Sequence, residues 1–177
     1  MHGRVTIITG GSGGIGNEVA RALAEAGSDI ALWYNQSTRA EKLAAAIASQ
    51  YKVRCMAYKC DVSSHEQVTN TVEAVVRDFG RLDVMIANAG IPSKAGGLDD
   101  ALDAYHRVVD VDFNGAYYCA REAGKIFRKQ ESGNIIFTAS MSGHAANVPQ
   151  QQVRWVTLPK DVLLTDCRHA ITPAKQA

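Results

Sequence analysis

Apolar positions along the chain switch repeatedly between two periods, from short β-branched runs to stretches that recur every three or four residues. Residues 5–9 (Val, Thr, Ile, Ile, Thr) read as a strand that runs into a glycine-rich turn. Ile15, Val19, Ala22, Leu23 and Ala26 then follow at helical spacing, and Gly27 supplies a stop. Residues 30–33 predict a second strand, an alanine-rich helix covers residues 39–50, and residues 53–59 predict a third strand. Asp61, Ser63 and Ser64 offer helix caps ahead of Val68, Val72, Val75 and Val76, and Gly80 closes that helix. A fourth strand falls at residues 84–87. After a polar, glycine-containing loop, one long helical region covers residues 102–129, and a fifth strand covers residues 134–138.

Strand, crossover helix and strand in strict alternation predict an α/β fold with a parallel sheet. Right-handed crossovers make it a Rossmann-like, doubly wound sheet of order 3-2-1-4-5 if the chain reverses direction at strand one. A ligand then belongs at the carboxyl ends of strands one and four, where every motif below falls. With 177 residues, 46% of them hydrophobic, the chain suffices for one core but not two ordinary domains. The formal net charge of +1 offers no broad positive field, so nucleic acid and anionic membrane surfaces are not expected partners. Cys55, Cys60, Cys119 and Cys167 are scattered with no Cys-x-x-Cys spacing; buried thiols in a reducing compartment are the expectation, with no metal site. Neither a signal-peptide pattern nor a membrane-span run is evident, which predicts a cytoplasmic protein.

The first turn reads Thr9-Gly10-Gly11-Ser12-Gly13-Gly14-Ile15-Gly16 and enters a helix directly. Glycines there let the backbone turn tightly and approach a pyrophosphate, while the N–H groups at the positive end of the helix stabilise its charge. A glycine cluster alone is a weak signal. Gly14 and Gly16 nevertheless have no equally good explanation in local structure, whereas Asp61 could simply cap a helix and Asn88 could serve a turn.

In that glycine motif, in Asp61-Val62 after strand three, in Asn88-Ala89-Gly90 after strand four, in Asn114 within the long helix and in Ser140 after strand five, the chain resembles the short-chain dehydrogenase/reductase family. The resemblance covers about residues 3–152 and implies an NADP-binding domain over residues 1–152. By that resemblance Gly10, Ser12, Gly14, Ile15 and Gly16 would hold the pyrophosphate, Asp61 would accept from the adenine amino group with Val62 against the ring, and Asn88, Ala89 and Gly90 would line the ribose-nicotinamide side. Residues 31–35, 109–115 and 140–144 are most similar to the fungal NADP-dependent mannitol dehydrogenase and sorbose reductase group, which implies a ketose/polyol substrate. His144 and Asn147 could border a sugar site or be ordinary loop residues.

An NAD-preferring enzyme of this architecture carries an acidic residue near the end of strand two, to accept from the ribose 2′-hydroxyl. This chain reads Trp33-Tyr34-Asn35-Gln36-Ser37-Thr38-Arg39 instead. With no carboxylate to repel it, a 2′-phosphate could be held by Asn35 and Ser37 donors and by the charge of Arg39, so the expected cofactor is NADP(H). Arg39 could equally be a solvated residue at a helix start.

In the family a serine polarises the substrate carbonyl, a tyrosine exchanges the proton, a lysine four residues on lowers the tyrosine pKa, and a helical asparagine holds a connecting water. Ser140 and Asn114 match the first and last of these roles, with Ser142 a competitor for the serine. The last tyrosine of the chain, however, is Tyr118, so Tyr-x-x-x-Lys is absent downstream of Ser140; Trp155 stands near its place and Lys160 has no tyrosine to serve. An indole has no usable proton-transfer pKa. Residues 153–177 depart from the family pattern and read as a divergent, poorly ordered tail, with strands six and seven lacking, as a frameshift, retained intron or splicing event after Gln152 would produce. The expectation is an oxidoreductase by descent that does not turn over. The alternatives are a non-catalytic cofactor-binding or partner-modulating protein and a nonfunctional product. Family members form homo-oligomers, of whose interface this chain would keep half.

Overall fold

The computed structural model describes residues 1–92 and 101–140. Its elements are β1 (Val5–Ile8), α1 (Gly14–Glu25), β2 (Asp29–Tyr34), α2 (Ala40–Tyr51), β3 (Cys55–Lys59), α3 (His65–Phe79), β4 (Val84–Ala87), α4 (Leu102–Val108), a π-helical turn (Val109–Asn114), α5 (Gly115–Gln130) and β5 (Asn134–Phe137). The five strands form one parallel sheet in the order β3-β2-β1-β4-β5, as the alternating pattern predicts.

Alternation along each strand divides the core into two layers. Ile8, Ile30, Leu32, Val84 and Ile86 point to one face, where Ala20 and Ala24 of α1 and Ala40 and Ile47 of α2 cover them. Val5, Ile7, Ala31, Trp33, Met85 and Ala87 point to the other, packed by Val68, Val72 and Val75 of α3 and by Cys119, Ala123 and Phe127 of α5. Each fully buried Ile, Leu or Val contributes about 1.5–3 kcal/mol relative to exposure, so β1, β2 and β4, buried on both faces, form the rigid platform under the site.

Local chemistry sets the element ends. The Ser64 hydroxyl accepts from the Gln67 N–H at 3.3 Å and caps α3, and Gly80 ends it with φ +85°. Asp61, read as a possible cap, instead closes a turn of its own: its Oδ1 accepts from the Ser63 N–H at 3.0 Å and hydroxyl at 2.7 Å. The region read as one long helix is continuous in helical character but loosens to π pitch over Val109–Asn114. Gly115 follows, and a Cβ there would lie 2.8 Å from Val62 Cγ2; the bare glycine lets α5 approach the end of β3.

Where α3 meets α5, the almost wholly buried Glu122 carboxylate lies 2.8 Å from His65 Nε2, 2.7 Å from Arg121 and 2.5 Å from Lys125. Burial opposes its ionisation, but the hydrogen bonds from Lys125, His65 and Arg121 outweigh burial and hold its pKa down at about 2. No helix among the described residues is long and apolar enough to cross a membrane.

Candidate functional site

At the carboxyl end of the sheet, backbone bonds just beyond the strands align the loops. Thr9 N–H donates to the Ile86 carbonyl at 3.0 Å, Gly11 N–H to that of Trp33 at 2.9 Å, and Cys60 N–H to that of Tyr34 at 2.8 Å. The turn after β1 begins at Gly10 with φ +67°, a conformation that strains any residue with a Cβ. A Cβ on Gly16 would stand 2.3 Å from the Gly10 carbonyl oxygen and 2.9 Å from Asn88 Nδ2. Gly16 thus has a packing reason of its own, which the sequence reading did not find: it seats the first turn of α1 on the β1 turn. Gly14 is different, since a Cβ there would meet no protein atom within 4 Å. No side chain caps α1, whose N-cap is Gly13, and no acidic residue lies in its first turn. Its opening N–H groups and positive dipole end are therefore left for a ligand.

The Thr9 hydroxyl joins this turn to the loop after β4, accepting from the Asn88 N–H at 2.9 Å and the Ala89 N–H at 2.8 Å. The Asn88 side chain is committed to the same scaffold: its Nδ2 donates to the Thr9 carbonyl at 3.0 Å, and its Oδ1 accepts from the Thr138 hydroxyl at 3.2 Å. Asp112, buried in the π-helical turn, accepts from the Ile91 N–H at 2.8 Å and fixes the far end of that loop. Thr9, Thr138 and Asp112 were not singled out from sequence, although Thr9 ends the strand that leads into the glycine motif.

Two lobes of one cleft open above these loops. One, about 510 Å³, is lined by Gly10, Ser12, Gly13, Gly14, Ile15 and Gly16 together with Tyr34, Asn35, Gln36, Ser37, Asn88, Ala89 and Gly90. The other, about 440 Å³, is lined by Cys60, Asp61, Val62 and Ser63, by Ile91, and by Asp103, His106, Arg107, Asp110 and Val111 of the helix opposite. Gly10, Tyr34, Asn35, Gln36, Ala89 and Gly90 belong to both and form the waist. Twelve of the thirteen residues read as cofactor-binding thus meet in one cleft. The exception is Arg39, which is exposed, lines neither lobe, and donates its backbone N–H to the Ser37 Oγ at 3.3 Å as α2 begins. Nor is the region after β2 free of carboxylate: Glu41, in the first turn of α2, accepts a hydrogen bond from the Tyr34 hydroxyl. It lies two residues beyond the stretch, residues 33–39, whose lack of a carboxylate predicts NADP(H).

Asn114 closes the π-helical turn, its Nδ2 donating to Asp110 Oδ1 at 2.9 Å. Ser140 is half-buried just beyond β5. Neither lines the two lobes, and Ser142, His144, Asn147, Trp155, Lys160 and the whole of residues 153–177 lie outside the described residues. The thiols among the described residues are not poised for chemistry: burial pushes Cys60, at the cleft, up to about 11 and Cys55 up to about 12, and raises Cys119 as well.

Residues 4–152 match the model of the short chain dehydrogenase family. The chain belongs to that family. Among its curated relatives, a probable NADP-dependent mannitol dehydrogenase of Yarrowia lipolytica is 51% identical over 154 residues, covering 86% of this chain and 55% of the relative. A sorbose reductase of Schizosaccharomyces pombe is 47% identical over 153 residues, covering 85% of this chain and 60% of the relative. The chain therefore spans little more than half the length of these short chain dehydrogenases. The crystal structure of an NADPH-dependent 3-quinuclidinone reductase from Rhodotorula rubra superposes with a TM-score of 0.85 at 41% identity, over 92% of this chain and 62% of that one. Sheet order and family agree with what the glycine, Asp61-Val62 and Asn88-Ala89-Gly90 motifs imply.

Proposed function

We propose that this chain is the NADP(H)-binding part of a short chain dehydrogenase acting on a ketose/polyol pair, and that the 177 residues by themselves bind the cofactor without turning substrate over. The observation that carries the reading is the two-lobed cleft. One lobe has an uncapped helix N-terminus and a glycine cradle for a pyrophosphate, and the other has Asp61 and Val62 at its floor for an adenine. The open space beside Gly14 suits close approach of a phosphate to the backbone. Ser37 supports NADP over NAD: its oxygen takes the Arg39 N–H, which leaves the hydroxyl proton to donate to a 2′-phosphate, with the Asn35 amide beside it. The named NADP dependence of the mannitol dehydrogenase relatives points the same way.

Bound NADP(H) supplies the hydride. In this reading the Thr9–Asn88–Thr138 bonds hold the loop on which the nicotinamide ribose rests, Ser140 donates to the substrate carbonyl, and Asn114 orients a water. A proton must still reach the alkoxide, and the tyrosine and lysine that handle it in the family have no counterpart after Ser140. Fluorescence titration of the chain with NADPH and NADH tests the binding half: tighter NADPH supports the reading, while equal affinities or tighter NADH remove it.

A further inference from the structure

The carboxylate of Glu41, bonded to a residue of the cleft waist, carries a charge that would oppose a nearby 2′-phosphate, and its position is fixed by that bond. Tyr34 is the last residue of β2 and belongs to the lining of both lobes. Its half-buried ring packs against the core layer shared with α1 and α2, so the base of the side chain is anchored while the hydroxyl reaches the first turn of α2. There it donates to Glu41 Oε1. Glu41 is otherwise exposed and, so held, lines neither lobe; an untethered glutamate at an exposed helix start samples many rotamers.

We propose that Tyr34 is a positioning residue for cofactor selectivity, tying the Glu41 carboxylate to the edge of α2 and away from the donors that would hold a 2′-phosphate. This rests on the NADP(H) reading above. The hydrogen bond favours the ionised carboxylate and the neutral phenol: Glu41 is held below the usual carboxylate range chiefly by Tyr34, and Tyr34 is raised chiefly by Glu41. The group being restrained is therefore an anion, and its release matters for charge as well as for shape. A freed carboxylate would compete with a 2′-phosphate for the Ser37 hydroxyl and the Asn35 amide. A 2′-hydroxyl, which can itself donate to a carboxylate, would not suffer.

The test is a double-mutant cycle read by equilibrium binding, with NADPH and NADH titrated separately into wild type, Tyr34→Phe, Glu41→Gln and the double variant. At exposed sites a unit charge a few ångströms away is worth about three- to tenfold in affinity, less at high salt. Tyr34→Phe is expected to lower the ratio of NADPH to NADH affinity by about that factor, and the loss should shrink as salt is added. Glu41→Gln should bind NADPH at least as tightly as wild type, and the double variant should recover the NADPH affinity that Tyr34→Phe lost. An unchanged NADPH/NADH ratio in Tyr34→Phe overturns the proposal, as does a loss that persists in the double variant, which would make Tyr34 a merely structural residue. If wild type binds neither dinucleotide, the NADP(H) reading falls and the proposal with it. If wild type prefers NADPH and the cycle shows no coupling, only the tether falls.

Discussion

Gly14 and Gly16 lie two residues apart in one motif, and the structure assigns them opposite jobs that a pair of alanine substitutions should separate. A Cβ on Gly16 would sit 2.3 Å from the Gly10 carbonyl oxygen, about 1 Å inside ordinary contact, and 2.9 Å from Asn88 Nδ2. Neither neighbour is the free end of a flexible side chain: Gly10 is backbone in a positive-φ turn, and the Asn88 amide is fixed by Thr9 and Thr138. The first turn of α1 must therefore move, disturbing the packing of Ala20 and Ala24 against the sheet. Overpacking of this kind costs about 1–3 kcal/mol, against which replacing a helical glycine returns at most about 1 kcal/mol. Gly16→Ala is expected to lose about 1–2 kcal/mol, read as a lower urea midpoint at unchanged m-value. Gly14→Ala meets nothing, so it should be as stable as wild type or more stable by up to about 1 kcal/mol. The larger Gly14→Val should abolish NADPH binding in a chain that still unfolds cooperatively. If Gly16→Ala proves neutral, or a folded Gly14→Val protein retains NADPH affinity, the division of labour is wrong.

The Thr9 hydroxyl satisfies two backbone N–H groups in the partly buried loop after β4, so Thr9→Val should cost about 2–4 kcal/mol in stability while Thr9→Ser stays near wild type, as thermal denaturation would show. The depressed pKa of Glu122 stabilises the fold above its unfolded-state value and loses that contribution as pH falls from about 5 through about 2; Glu122→Gln should flatten the urea-midpoint profile in that window, and an unchanged profile would contradict the assignment. On the proposed reading the 177-residue chain should not reduce fructose or sorbose with NADPH, because no Tyr-x-x-x-Lys follows Ser140 to supply general acid catalysis worth about 10²–10⁴-fold. Ketose-dependent NADPH consumption that disappears in Ser140→Ala would show that another residue delivers the proton.

The sheet order and most element boundaries were legible because β1, β2 and β4, buried on both faces, read as nearly unbroken apolar runs and the intervening helices carry a clear period. Signals of a different kind were not. The π-helical turn keeps the apolar spacing of a helix, so residues 102–129 read as one element; the turn ends at Gly115, where a Cβ would lie 2.8 Å from Val62 Cγ2. Gly16 read as a ligand glycine because sequence cannot tell space needed by a phosphate from space needed by the Gly10 carbonyl. Arg39 is near Asn35 and Ser37 in sequence but stands exposed at a helix start and lines neither lobe, whereas Glu41, in the first turn of that helix, accepts from the Tyr34 hydroxyl. Twelve of the residues read as cofactor-binding do line one cleft, since motifs at the carboxyl ends of neighbouring parallel strands are brought together by topology alone.

The central claim is that the cleft above β1, β2 and β4 is where a dinucleotide sits, and amide hydrogen exchange of the 177-residue chain with and without saturating NADPH tests it most directly. Slowed exchange is expected at the opening N–H groups of α1, residues 14–16, and in residues 34–37, 61–63 and 88–91, with α5 from Tyr117 onward unchanged. Protection confined to α5, or absent from the glycine turn while NADPH is demonstrably bound, would contradict it.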